Sequence, residues 1–240
     1  MKLLNLKPNQ YLRPYVSRYW LWENEPSLPQ ILPGTGTELM FHYHAPFVGE
    51  NQKEERFVVP ACHILSPRYG RYRINPNKNY GFISVRFRAG AFRHFCRQSS
   101  TDLIDSFIDI NDIWGKKGKE FGNRMLGAKS LEERIIIIES FLMEFLSMYQ
   151  HSPSWLDTAV HKVYGAAKLQ EISSDLFISD RQLQRKFREA VGVSPKTFQR
   201  ISRFERVLKH LLLNKKQEYL PSALEHGYYD QSHFIKDFKT

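Results

Sequence analysis

The feature that most constrains this chain is a change of hydrophobic period near Ala89. Before it, apolar residues alternate with polar ones, as on a half-buried strand. After it, they recur every three or four residues, as on an amphipathic helix. One uniform architecture cannot satisfy both patterns, so the chain is predicted to be α+β with two domains. Gly81–Arg88 shows the first pattern most clearly, with Phe82, Ser84, Arg86 and Arg88 on one face and Ile83, Val85 and Phe87 on the other. Tyr11–Trp22 is dense in aromatic strand formers. Thr37–Tyr43 sets Leu39, Phe41 and Tyr43 against Met40 and His42, and Arg56–Val59 and His63–Leu65 are short strand candidates. Pro and Gly separate these runs, as turns between short strands require. A β-barrel or sandwich of the cupin type, with accessory helices, is the expected N-terminal fold.

Past Ala89, Gly90–Arg97 reads as one or two helical turns anchored by Phe92 and Phe95, and Asp102–Trp114 as a helix on Leu103, Phe107 and Ile110. Leu131–Tyr149 is the clearest helix of this half. Ser130 caps it, and Glu132 and Glu133 lie in the first turn, where the helix dipole favours acids. Its stripe of Ile135, Ile138, Leu142, Phe145 and Tyr149 is broadened by Ile136, Ile137, Phe141 and Leu146, more than a surface helix needs. That helix is either deeply buried or shared with a second subunit. The polar, Pro-containing stretch 151–154 reads as a linker. The expected organisation is a sensing or dimerisation domain over 1–150, β-rich to 95 and helical over 96–150, then this linker and an all-helical domain over 155–240.

Composition narrows the partners. The formal charge of +10 points to a polyanion, yet residues 1–150 and 151–240 each carry a net of +5, so placement must decide where it binds. Cys62 and Cys96 make neither a disulfide framework nor a zinc pattern. The longest purely apolar run is Ile135–Ile138 and Met1–Gln10 is polar, so a cytoplasmic protein without membrane association is expected. No nucleophile–base set, phosphate-binding loop or carboxylate pair stands out, so neither catalysis nor a cofactor is predicted.

The helical domain carries the chemistry. Leu169, Ile172 and Leu176 sit at helical spacing and the run breaks at Phe177-Ile178. Ser179 then caps a helix, with Gln182 completing a capping box. In it Leu183 and Phe187 face inward, leaving Arg181, Gln182, Gln184, Arg185 and Arg188 outward. Helix, short turn, then a helix with an Arg/Gln outer face is a helix-turn-helix. Arg pairs bidentately with guanine and Gln with adenine in the major groove. Most basic helices are merely solvated surfaces, but here the motif recurs. Ala223–His226 makes one helical turn, Gly227 stops it, and Asp230 caps a helix whose Phe234 and Phe238 repeat the anchoring of Leu183 and Phe187. Between the two copies, Ser194-Pro195 starts a helix to about Leu213, with Phe198, Ile201, Phe204, Leu208, Leu211 and Leu212 on one face. At 1.5 Å per residue it spans ~28 Å. Adjacent major grooves lie ~34 Å apart, so one chain could read both.

Ile172–Leu208 and Ala223–Lys239 resemble the AraC/XylS family of transcription regulators. The run Ser179, Leu183, Arg185, Phe187, Gly192, Pro195 and Arg203 is similar to the first half of the family pattern, and Ala223, Gly227, Asp230, Gln231, Ser232, Phe234 and Phe238 to the second. The resemblance implies two recognition helices on double-stranded DNA, with RNA polymerase a candidate partner, a small-molecule effector, and dimerisation through the N-terminal domain. Arg181, Gln182, Arg185, Gln231, Ser232 and His233 are the expected base contacts, and Lys186, Arg188, Lys196, Arg200 and Lys236 the expected phosphate contacts. Ser173, Val207 and Ser222 depart from the pattern, and the sequence stops at Thr240, before the family's closing helix. A weakly held second recognition helix is expected from that.

Two N-terminal constellations carry candidate site chemistry. His42 and His44 echo a cupin metal motif, but Glu50 is misplaced and no second motif follows, so no metal is predicted and the pair remains only a candidate. Arg71 with Arg73, and Arg86 with Arg88, could form a pocket for an acidic effector. The competing functional reading is a cupin-like small-molecule or metal-binding barrel with secondary or impaired DNA binding. Nonspecific binding of nucleic acid by a basic protein is the third.

Overall fold

The fold was obtained as a computed structural model that describes residues 2–23, 34–68, 70–75, 80–148, 154–213, 224, 228–230 and 232. The N-terminal domain is built on a six-stranded antiparallel sheet. Its strands are β1 (Lys2–Leu6), β2 (Val16–Glu23), β3 (Glu38–His42), β6 (Cys62–Leu65), β8 (Gly81–Phe87) and β9 (Phe107–Asp109), in the order β1-β2-β8-β3-β6-β9. Three short strands, β4 (Val48–Glu50), β5 (Arg56–Val58) and β7 (Arg73–Asn75), form a second sheet in the order β5-β4-β7.

The two faces of β8 serve two cores, as its alternation requires. Ile83, Val85 and Phe87 join Tyr19, Leu39, Phe41 and Ile64 against three helices, α1 (Ile110–Trp114), α2 (Lys116–Gly127) and α3 (Leu131–Met148). Phe82 joins Met40 and Leu65 in a second core with Phe47, Val59 and Tyr80, against which Phe57 of β5 and Ile74 of β7 pack. Helices cover one face and the small sheet the other, so β3 and β6 are buried along their whole length.

Helix α3 settles toward burial. Ile137, Ile138, Phe141, Leu142, Phe145 and Leu146 all lie in the first core, while Ile136 is left exposed. Its Glu139 accepts hydrogen bonds from the Asn9 amide (2.8 Å) and the Tyr19 hydroxyl (3.1 Å), tying the N-terminal segment down.

The predicted helix over Asp102–Trp114 is corrected. Ser100–Leu103 is a 3-10 turn, Phe107–Asp109 is β9, and only Ile110–Trp114 is helical. Pairing of β9 with β6, Ile108 opposite Ile64, overrides the local spacing. A strand therefore lies inside the stretch expected to be purely helical. Helix α2 was not foreseen. Its anchors are Phe121 and Met125 alone, and Gly118 lowers its propensity, yet a Cβ there would lie 2.6 Å from the Ile110 carbonyl oxygen, so close α1–α2 packing requires that glycine. Among the described residues no helix is long and apolar enough to cross a membrane.

The C-terminal unit contains α4 (Ser154–Tyr164), α5 (Leu169–Asp175), α6 (Asp180–Val191) and α7 (Pro195–Leu213). Ser154, expected in the linker, already belongs to α4. Leu156, Val160, Val163, Ile172, Leu183, Phe187 and Phe198 form its core. The two halves touch: the Ser100 hydroxyl donates to the Ala190 carbonyl (2.8 Å), and Arg93 pairs with Asp157 (2.7 Å). Gly192 lies at this contact with φ 86°, and a Cβ on it would lie 2.5 Å from both Ile104 Cδ1 and the Ser100 carbonyl.

Candidate nucleic-acid interface

The turn between α5 and α6 is closed by the Ile178 amide donating to the Ser173 carbonyl (3.0 Å) and the Phe177 amide to that of Ser174 (3.1 Å). Phe177 has φ 53° and its side chain is 95% exposed. A left-handed bulky residue is costly, so these hydrogen bonds and the packing of the two helices must hold the turn. Ser179 caps α6, its hydroxyl accepting from the Gln182 amide (3.2 Å). Ser173, one of the three departures from the family pattern, has a structural reason. Its buried hydroxyl bonds the Gln170 carbonyl (3.1 Å) and the carboxylate of Asp180, the first residue of α6, so it ties the two helices together.

Leu183 and Phe187 are fully buried, with Phe187 edge-on to Phe198 of α7 (centroids 5.3 Å). That orientation leaves Arg181, Gln182, Gln184, Arg185 and Arg188 exposed, with Lys186 partly so. Lys196 and Arg200, at the start of α7, are exposed as well. The eight side chains thus lie on one helix-turn-helix and its following turn. Sequence reasoning missed Glu189. It accepts from Arg185 Nη1 (3.1 Å) and Lys186 Nζ (2.8 Å), and the Lys186 hydrogen bond leads in holding its carboxyl below the usual range. Two candidate DNA contacts are therefore held by an acid of their own helix. The signal was present as spacings of four and three residues on one face.

Helix α7 runs over the span expected, and Phe198, Ile201, Phe204 and Val207 are buried along it. Tyr228 packs on Phe204 and Val207, with the Arg203 guanidinium 5.4 Å from its ring centroid. Ser232 is helical and exposed. Gln231, His233 and Lys236 lie outside the described residues, as do Ser222 and the anchors Phe234 and Phe238 on which a weakly held second motif was expected.

The N-terminal candidates separate. His42 stacks on His63 (centroids 5.3 Å, 16°) in the sheet interior, whereas His44 is exposed and 3.8 Å from Glu23. The expected His42–His44 pair on one strand face does not form, because β3 ends at His42. Among the described residues, no group of three or more His, Cys, Asp or Glu is placed to hold a metal. The four arginines do not converge either. Arg73 pairs with Glu50 on the small sheet (3.5 Å), Arg71 is exposed, and Arg88 donates to the Arg13 carbonyl (2.8 Å). Only Arg86 enters a shielded polar cluster. It bonds Glu38 (2.5 Å) on the neighbouring strand and Glu205 of α7 (3.1 Å). Burial pushes the Glu38 carboxyl up, but Arg86, Arg68 and the Ser84 hydroxyl outweigh burial and hold it below the usual range.

A buried-anchor helix-turn-helix with an Arg/Gln outer face defines a DNA-binding module, and residues 172–240 match a family model described as a helix-turn-helix domain. This C-terminal unit is a helix-turn-helix domain. Residues 4–109 match a family model described as a domain of unknown function (DUF6597). No curated protein matches the chain. Similar solved structures include ToxT from Vibrio cholerae O395 bound to (E)-4-(8-methylnaphthalen-1-yl)but-3-enoic acid, at 12% identity and a TM-score of 0.49 over 92% of this chain and 89% of that one. Unsaturated fatty acid bound ToxT from strain SCE256 is similar at 10% identity and a TM-score of 0.48, over 97% and 92%.

Proposed function

We propose that this protein is a sequence-specific transcriptional regulator that responds to an effector. Its residues 1–150 sense and dimerise, and residues 155–240 bind double-stranded DNA in the cytoplasm. One observation carries the reading: α6 is pinned by the fully buried Leu183 and Phe187, so Arg181, Gln182 and Arg185 are presented together on its free face. These three are assigned to base edges. Lys186, Arg188, Lys196 and Arg200 are assigned to phosphates, which position the helix without reading sequence. Ser232, with Gln231 and His233, is assigned to the second half-site, and Lys236 to its backbone. RNA polymerase is the partner through which such a regulator acts. No catalytic role is assigned.

Selection of binding sites from random duplexes, followed by the Arg185→Ala variant, tests this. A bidentate Arg–guanine contact is worth ~1–3 kcal/mol of discrimination, so the variant should bind its site about 5- to 150-fold more weakly and relax preference within one half-site. Equal loss on every sequence would refute base readout by Arg185. Failure to select any site would remove sequence specificity altogether.

A further inference from the structure

The contact between Glu205 and the N-terminal domain has the chemistry of a receptor and its ligand. Glu205 Oε1 accepts from the Thr35 amide (3.0 Å) and from Arg86 Nη2 (3.1 Å), and Oε2 accepts from the Thr35 hydroxyl (2.5 Å). The donors are thus a backbone amide, a hydroxyl and a guanidinium, arranged around both oxygens of one planar carboxylate. Arg68 stands behind them, 8% exposed, with its Nε lacking a hydrogen-bond partner. Glycine permits the close approach: a Cβ on Gly34 would lie 3.1 Å from Glu205 Oε1, and one on Gly36 would lie 2.6 Å from Arg86.

The three donors together call for an acceptor with two oxygens. The cluster holds two cations, Arg68 and Arg86, with the anions Glu38 and Glu205, and Asp105 also acts on Arg68. Glu38 is already engaged by Arg86, by the Ser84 hydroxyl (2.6 Å) and by the Trp20 indole (3.1 Å). The second anion comes from the DNA-binding half. Without it the Thr35 amide, the Thr35 hydroxyl and Arg86 Nη2 would lose the acceptor they share, which is unfavourable. A planar carboxylate, with an oxygen for each side of this donor set, fits the place.

We propose that Thr35, Arg68 and Arg86 form a carboxylate-binding site of the N-terminal domain, with Glu205 as its internal occupant. A small monocarboxylate that takes the place of Glu205 releases α7 from the sensing domain. The inference rests on the effector-responsive reading above and names the class of effector. A tethered group typically has an effective concentration on the order of millimolar, so Glu205 should suppress binding of an external acid in the wild type.

The test uses the full chain, with benzoate and inorganic phosphate as probes, by calorimetry. Glu205→Ala should bind one benzoate at least about tenfold more tightly than the wild type does. Adding Thr35→Val, which removes one donor and no buried charge, should weaken that binding several-fold. Saturating benzoate should raise amide exchange along α7 in the wild type. Equal affinity of wild type and Glu205→Ala, or no saturable binding by the variant, overturns the site. Phosphate binding as tight as benzoate overturns the carboxylate class. Benzoate bound to the wild type with α7 exchange unchanged overturns the release. DNA binding by both proteins is measured alongside, so that its loss in the wild type counts against the regulator reading and not against the site.

Discussion

Replacing Glu189 with Gln is the sharpest perturbation of the recognition helix. Glu189 holds Arg185 at 3.1 Å and Lys186 at 2.8 Å, and it is 45% exposed. Exposed pairs of this spacing are each worth ~0.3–0.5 kcal/mol, so losing both should cost the free protein less than about 1 kcal/mol. The acid also sits in the last turn of α6, where the helix dipole disfavours it, and Gln relieves that. The stability change should therefore be close to zero. On DNA, the wild type must break both pairs before Arg185 and Lys186 engage, and it brings a carboxylate toward phosphates. The variant avoids that cost and should bind up to about 1 kcal/mol more tightly, roughly fivefold. The gain should shrink with salt, since the charges are exposed. Fluorescence anisotropy on the selected duplex from about 50 to 200 mM salt measures it. In an Arg185→Ala background the gain should fall, because the two residues are coupled. Unchanged or weaker binding at every salt concentration, with unfolding midpoint unchanged, would refute the idea that Glu189 holds these side chains back.

Acid should destabilise the N-terminal domain. Burial lowers the pKa of His42 from 6.5 to about 3 and that of His63 from 6.5 to about 4, with the neighbouring charge of His63 adding to the effect at His42. The unfolded chain binds protons first, so the stability present above pH 6.5 is lost as pH falls toward these values. Each histidine should remove about 2 kcal/mol by pH 5. Urea unfolding across pH 5–7 measures this, and a His42→Phe variant with the same pH slope would contradict it. Gly192→Ala should cost roughly 3 kcal/mol from left-handed strain and the clash with Ile104 and Ser100, lowering the melting temperature by several degrees. A calorimetric midpoint within one or two degrees of the wild type would show that the contact between the halves yields easily.

The helix-turn-helix was legible because its determinants are local. Ser179, Leu183, Phe187 and Gly192 lie within four turns of chain, and caps, helical spacing and a left-handed glycine act over that range. The strands of Gly81–Phe87 and Glu38–His42 were legible for the same reason. Phe107 was misread because its partner, Leu65 of β6, is 42 residues away and helical spacing cannot register a strand pairing. The grouping of Arg71, Arg73, Arg86 and Arg88 failed likewise. Alternation assigns a residue to a face of its own strand, and it does not say what faces it.

By itself the sequence determined the α+β division, the helix-turn-helix and the outward set of Arg181, Gln182 and Arg185, all consequences of periodicities and caps along the chain. Tertiary structure alone decided that Arg86 meets Glu205 across 119 residues, that the His42 ring stacks on His63, and that Gly192 presses on Ser100. The physical reason is one of range. Helix and strand preferences are paid within a few residues, whereas charge compensation and close packing depend on which distant surfaces the fold brings together.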